Sequence, residues 1–159
     1  MTDRAYTGTA ITVRYDAARC RHVAECVRGL PHVFDTGRRP WILVDAEPDA
    51  ALVAEVVRRC PTGALHYTLV GAPDEVPDAV TTVTAVPDGP LLVRGDLRLD
   101  LGEEGELVET RAALCRCGHS GNKPFCDGSH ERMGWRSAAP TDRAPAGGRP
   151  HAEPAVSDG

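Results

Sequence analysis

The residues best suited to chemistry lie between positions 115 and 130. This stretch places three thiols, those of Cys115, Cys117 and Cys126, and the imidazole of His130 within sixteen residues. Thiolates prefer soft metal ions, and imidazole binds many of the same metals. His130 follows Cys126 by four residues, so one helical turn would let both side chains face the same point. The stretch therefore predicts a metal site with four ligands.

The spacing of these four residues resembles that of a known family. The pattern Cys-x-Cys-x8-Cys-x3-His, ending in Cys-Asp-Gly-Ser-His, is similar to the CDGSH iron–sulfur family, the NEET-type proteins. The secondary positions that also agree are Ser120, Pro124, Phe125, Asp127 and Gly128. The resemblance implies a 2Fe-2S cluster with one iron on Cys115 and Cys117 and the other on Cys126 and His130. An imidazole in place of a thiolate makes such a site less negative, which is expected to raise its reduction potential.

A structural zinc ion is the main alternative for this site. Zinc also accepts three cysteines and one histidine in a tetrahedral arrangement. However, Cys-x-Cys is less usual than Cys-x2-Cys in zinc sites, and the flanking residues match the iron–sulfur family. A disulfide would leave His130 and the close Cys115–Cys117 spacing unexplained, so the cluster is the preferred interpretation.

A second set of cysteines, Cys20, Cys26 and Cys60, lies in the first half of the chain. Ferredoxin sites usually have Cys-x2-Cys-x2-Cys and a distant Cys-Pro; here Val23 occupies the middle position, and Pro61 follows Cys60. The segments Cys-Val-Arg-Gly-Leu-Pro and Cys-Pro-Thr-Gly-Ala resemble divergent single-cluster ferredoxin domains and the three-cysteine ferredoxins of bacterial monooxygenases.

That resemblance implies a second cluster held by the three cysteines. The cluster would be 3Fe-4S, or 4Fe-4S with water or another side chain on the fourth iron. His22 is the nearest candidate for such a fourth ligand, although a solvated or capping role is the alternative. The alternative to any cluster is a group of three buried free thiols.

The apolar periodicity predicts an α+β fold in two halves. In the first half, a small ferredoxin-like β-α-β-α-β unit, it indicates strands at 9–15, 41–44 and 64–70 and helices at 20–30 and 48–60. His66 is expected to face solvent on its strand. In the second half it indicates an antiparallel sheet with strands at 80–86, 91–99 and 106–114, the last leading into Cys115. Asp127 is expected to cap a short helix that carries His130.

Composition divides the chain into four parts. The ferredoxin-like domain covers 1–70, a linker rich in Pro and acidic residues covers 71–79, and the CDGSH domain covers 80–136. Residues 137–159 have no apolar periodicity and are expected to form a disordered tail. Aromatic residues are only 4% of the chain, so two such small domains would gain stability from inorganic clusters.

Charge and hydropathy exclude several classes of function. The net charge of −5 gives no footprint for nucleic acid. The chain has no apolar run of membrane-spanning length and no signal peptide, which predicts a cytoplasmic protein in which cysteines stay reduced. Five basic residues are expected to surround the CDGSH loop, either neutralising an anionic cluster or docking an acidic redox partner: Arg111, Arg116, Lys123, Arg132 and Arg136.

All six cysteines are accounted for by the two sites, which predicts an electron-transfer protein with an internal relay. Its partner would be another redox protein, a reductase or an oxidoreductase. No catalytic triad or phosphate-binding loop is present, so the chain is not expected to be an enzyme. The alternative is a redox- or pH-sensitive cluster sensor or transfer protein, in which protonation of His130 loosens the iron. NEET-type proteins pair two CDGSH units; the single unit here is compatible with a homodimer, or with the first half occupying the pairing surface.

Overall fold

Two three-stranded antiparallel sheets form the framework of the chain, one in each half. The computed structural model describes residues 3–73 and 75–138. The strands are β1 (Asp3–Thr7), β2 (Ile11–Asp16), β3 (Leu65–Leu69), β4 (Thr82–Ala85), β5 (Leu91–Asp100) and β6 (Glu106–Leu114). The α-helices are α1 (Glu25–Gly29), α2 (Ala50–Arg58) and α3 (Ser129–Arg132). Of the predicted tail, 139–159 lies outside the described residues.

In the first half, α2 packs against the sheet β1-β2-β3, in which β2 is central. The helix begins after Asp49, whose carboxylate accepts hydrogen bonds from the first backbone N–H groups of the helix. The apolar face predicted within 48–60 is buried, with Val53, Val56 and Val57 at most 1% exposed. The helix is shorter than predicted at both ends. Asp49 is its N-cap, so Pro48 lies before the first turn in which it was predicted, and the helix ends at Arg58.

The predicted β-α-β-α-β order is not confirmed, since the observed order is β1, β2, α1, α2, β3. The strand predicted at 41–44 is wrong: Ile42 forms only a single bridge with Phe34, and both side chains fill the core. The helix predicted at 20–30 begins only at Glu25. His22 and Ala24 have φ angles of 53° and 65°, and this left-handed backbone cannot continue a right-handed helix.

The sheet of the second half, in the order β4-β5-β6, agrees with the sequence-based prediction. Its core is small, however. Within the described residues the buried cluster here has four members, Val93, Leu97, Ala112 and Phe125, against thirteen in the first half. Because few side chains are buried here, hydrophobic burial stabilises this half only weakly. This half therefore needs other sources of stability.

One such source is Arg111, which joins β6 to the first half. Its side chain is 1% exposed and donates hydrogen bonds to the carbonyls of Val57 (3.1 Å), Cys60 (2.8 Å) and Leu65, and it pairs with Glu75. Val57 lies in the last turn of α2 and Cys60 lies just beyond the helix, where the helix dipole favours a cation. The prediction that Arg111 surrounds the CDGSH loop is therefore wrong, because its charge is buried between the halves.

The predicted linker takes part in the same contact. Besides Glu75, it contributes Asp78, whose carboxylate pairs with Arg58 of α2 and with Arg94 of β5. Arg94 also donates to the carbonyl of Arg58 at 3.0 Å. The segment between the halves is therefore fixed to both of them at two of its residues.

A second buried ion cluster lies beside the first. Arg19 pairs with Glu109 of β6, and both side chains are at most 7% exposed. His66 of β3 lies between Glu75 and Glu109, with one ring nitrogen 3.0 Å from each carboxylate. The expectation that His66 faces solvent is wrong, since its side chain is only 22% exposed and these two acids cover it.

Replacing Arg111 tests the contact between the halves. We expect R111M to lower the free energy of unfolding by about 3 kcal/mol, because it leaves Glu75 buried without its arginine and leaves three backbone carbonyls without their donor. The measurement is anaerobic urea unfolding followed by circular dichroism. The control is R98M, since Arg98 is 65% exposed in its pair with Glu106 and is expected to contribute less than about 1 kcal/mol. Equal losses in the two variants would contradict the assignment.

The environment of His66 predicts a pH dependence of stability. Burial by itself lowers the pKa of His66, but hydrogen bonds to Glu109 and Glu75 outweigh it and raise the pKa above the ordinary 6.5. A pKa raised in the folded state stabilises the protein below about pH 6.5, and this contribution is lost as the pH rises through the raised value. We expect the melting temperature of the wild type to fall over that interval and the slope to flatten in H66Q. Parallel curves for the two proteins would refute this role of His66.

Candidate metal centres

The CDGSH loop folds back beside the end of β6. The backbone N–H of Cys115 donates to the carbonyl of Pro124, and the N–H of Cys126 donates to the carbonyl of Ala113, both at 2.8 Å. These two bonds extend the antiparallel pairing beyond the sheet and place the first and third cysteines of the loop on neighbouring segments. β6 thus leads into Cys115, as the sequence predicted.

The four predicted ligands of this loop occur as two close pairs. The sulfurs of Cys115 and Cys117 are 3.8 Å apart, and the sulfur of Cys126 is 3.4 Å from Nδ1 of His130. α3 places His130 one turn beyond Cys126. Donors at such separations can bind the same metal ion, since metal–sulfur bonds are about 2.3 Å long. Each pair can therefore hold one metal.

Backbone N–H groups in this loop stabilise thiolates. Burial alone would raise the pKa of Cys115, but hydrogen bonds from the backbone of Ser120 and Gly118 lower it below its ordinary value. The N–H of His119 lies 3.4 Å from the sulfur of Cys117. The metal-binding form of cysteine is the thiolate, so this environment fits a metal or cluster. For Cys126 burial prevails and raises the thiol pKa, although the Gly128 N–H opposes it.

Asp127 holds the loop in shape. Its carboxylate accepts hydrogen bonds from the N–H groups of Gly121 and Ser129, each at 2.9 Å, and these bonds hold the pKa of Asp127 well below its usual range. The helix cap itself is Gly128, with a φ of 81°, so Asp127, which was the predicted cap, lies one position before the observed cap. It nevertheless satisfies the first N–H of α3.

The three cysteines of the first half line one cavity. Cys20 lies in the loop before α1, Cys26 lies in α1, and Cys60 follows α2. Burial and the nearby charges of Cys60 and Cys20 raise the pKa of Cys26 to about 11. A bound cation would favour the thiolate of Cys26, which is the metal-binding form, and the other two cysteines line the same cavity. The arrangement therefore fits iron ligation by all three.

Two further residues beside this cavity bear on the site. His22, the candidate fourth ligand, lines the same cavity, where its left-handed backbone turns the loop around it. Tyr15 was not identified from the sequence. Burial and a hydrogen bond to Cys20 raise the pKa of its hydroxyl, and its ring lies edge-on to Trp41 at 4.8 Å. The alternation of β2, which puts Tyr15 on the face of Ile11 and Val13, could have pointed to it.

Neither site has the geometry of a single-ion centre. Across residues 3–73 and 75–138, no three His, Cys, Asp or Glu side chains are grouped closely enough to hold one metal ion.

Among the described helices, none is long and apolar enough to cross a membrane.

Comparison with known proteins assigns both halves. Residues 6–70 match the family described as divergent 4Fe-4S mono-cluster, and residues 88–131 match the iron-binding zinc finger of CDGSH type. The chain belongs to the divergent 4Fe-4S mono-cluster family and carries a CDGSH-type domain after it. Both resemblances drawn from the sequence are thus confirmed, and the chain is an iron–sulfur protein.

The relatives found carry no described activity. The uncharacterized protein YjdI of Escherichia coli K12 is 47% identical over 64 residues, which is 40% of this chain and 83% of YjdI. YjdI of Escherichia coli O157:H7 gives the same values. These similarities support the family assignment, and they do not identify a specific role.

Asp127 provides a test of the CDGSH loop. We expect D127A to shorten the lifetime of the visible absorbance of the bound cluster several-fold, because two N–H groups lose their acceptor at a cost of about 1–2 kcal/mol. The measurement is absorbance decay in the presence of an iron chelator. D100A is the matched control, since Asp100 accepts a similar bond from Gly102 at 2.8 Å, away from the loop. Equal decay in both variants would argue against this role.

Proposed function

We propose that the protein transfers electrons through two iron–sulfur clusters. A 2Fe-2S cluster is held by Cys115, Cys117, Cys126 and His130. A 4Fe-4S or 3Fe-4S cluster is held by the three cysteines of the first half. The observation that carries the proposal is the arrangement of the first four residues as two close pairs, one for each of two irons.

The residues around each site support a difference in potential. The clusters supply one-electron chemistry when bound, and their surroundings determine which holds the electron. The neutral imidazole of His130 and the N–H groups at Cys115 and Cys117 favour the more negative, reduced state. In the first half three partly buried cysteines share one cavity, and three thiolates there would disfavour added negative charge. Electrons would therefore flow from the first half to the second.

Two observations favour this proposal over its alternatives. A zinc ion would need all four donors of the CDGSH loop around one point, whereas they occur as two pairs. Release of the cluster by protonation requires access to His130, which is 8% exposed. A buried ligand favours retention of the cluster, as electron transfer requires.

A groove beside Cys115 suggests where a redox partner docks. Its lining includes Cys115 and carries two cations, Arg116 and Lys123, against one carboxylate, that of Asp100. Positive charge beside a partly exposed cysteine fits an acidic redox protein, since complementary charge accelerates encounter. We therefore propose a reductase or oxidoreductase as partner and a chain without a catalytic site of its own.

The test is iron and sulfide analysis with a redox titration of anaerobically purified protein. We expect about five or six irons per chain with matching sulfide, and two reversible one-electron transitions. H130C is expected to lower the potential of the higher transition alone, because a thiolate adds negative charge to that site.

The triple variant C20S/C26S/C60S is the matched comparison. It is expected to lose three or four irons and the lower transition, while the higher one remains. Zinc without sulfide in the wild type would overturn electron transfer, and potentials in the opposite order would overturn the direction of flow.

A further inference from the structure

The two halves contact each other beside both sets of predicted ligands. The guanidinium of Arg19 lies over the ring of Phe125, 4.3 Å from its centre. Two residues further along each segment, Arg21 donates a hydrogen bond to the carbonyl of Asp127. Residues 19 and 21 of one segment are therefore in contact with residues 125 and 127 of the other.

The residues between these contacts are cysteines of the two different sites. Cys20 stands between the two arginines, and Cys126 stands between Phe125 and Asp127. Each cysteine is flanked on both sides by a residue that reaches across the interface. The two tripeptides therefore bring one predicted ligand of each cluster to the same part of the contact.

Further contacts fix this arrangement. The side-chain amide of Asn122 donates to the carbonyl of Ala18 at 3.3 Å, and Arg21 lies 3.9 Å from Glu131. At Gly128 a methyl group would lie 1.5 Å from the guanidinium of Arg21, so a larger residue there would displace the arginine from its observed position. The CDGSH loop therefore receives a side chain from the first half.

Arg19 makes several hydrogen bonds in addition to its contact with Phe125. Besides its pair with Glu109, it donates to the carbonyls of Thr62 and Arg111, both at 3.2 Å. Thr62 lies two residues after Cys60, a second predicted ligand of the first half. Arg19 and Phe125 are each 5% exposed, so the contact is buried.

We propose that this contact is the electron path between the two clusters, with Arg21 and Phe125 as positioning residues. The inference rests on the proposed function. One electron leaves the reduced cluster of the first half and enters the oxidised cluster of the second, and no bond forms or breaks. An external one-electron donor, such as a reduced viologen or low-potential flavin, restores the first cluster. Electrons tunnel better through bonds and packed atoms than through gaps, and the two tripeptides offer two such routes.

The experiment is pulse radiolysis of the holoprotein with the double variant R21Q/F125L. One electron is introduced by a viologen radical, and its redistribution between the clusters is followed through their separate absorbance. We expect the double variant to slow redistribution at least tenfold while both potentials stay unchanged. The control is R28Q/F34L, since Arg28 likewise donates to a backbone carbonyl, that of Val23 at 2.8 Å, and Phe34 is buried in the core of the first half.

A second measurement does not depend on rates. Two paramagnetic clusters close together broaden each other's electron paramagnetic resonance signals. We expect this broadening in the reduced wild type and its loss in C20S/C26S/C60S, with iron and sulfide analysis reporting which clusters are present. If R21Q/F125L loses a cluster, R21Q alone decides, because its side chain is 22% exposed and its loss opens no cavity in the core.

The outcomes separate the inference from the proposed function. An unchanged rate in variants that keep both clusters overturns the path and leaves electron transfer standing, and so does a wild type without magnetic interaction. Clusters that show no reversible reduction in the titration overturn the proposed function itself.

Discussion

Buried arginines that need partners from the other half hold this protein together. The second half has a small core, and its β6 strand places Arg111 against the end of α2. Arg19 of the first half reaches in the opposite direction, to Glu109. A buried charge without its partner costs about 3–5 kcal/mol, which is a large part of the stability of a small domain. Other arrangements would leave these charges unpaired, so the two halves are expected to dock in one arrangement.

The same docking shapes both metal sites. Arg111 donates to the carbonyl of Cys60, and the strand that carries Arg111 ends one residue before Cys115. Arg19 and Arg21 flank Cys20 and contact the loop that carries Cys126. Each predicted cluster site thus depends on residues from the other half. A change at the interface is expected to affect both sites, because the contact residues are neighbours of predicted ligands in the sequence.

The sequence revealed those features that depend on local pattern. Spacing and periodicity, which a single sequence retains, led to α2, to the sheet of the second half and to the close approach of the predicted ligands in the CDGSH loop. Arg111 and His66 could not be placed in this way, because their partners lie far away along the chain and local alternation assigns such polar residues to solvent. The strand prediction at 41–44 failed for another reason. A short apolar run fits a strand and a core-filling loop equally well. The left-handed backbone at His22 and Ala24 runs against residue preference and is imposed by the curvature of the loop around the cavity.

The segment 71–79 has the composition of a linker, yet Glu75 and Asp78 each pair with both halves. The number of residues in this segment is therefore constrained, as it is in a tight turn. An inserted or deleted residue would shift a carboxylate out of register with the arginines that it neutralises. The two halves are consequently not interchangeable modules joined by a tether. Grafting either one onto another protein would require carrying this segment along, together with the acids that it presents.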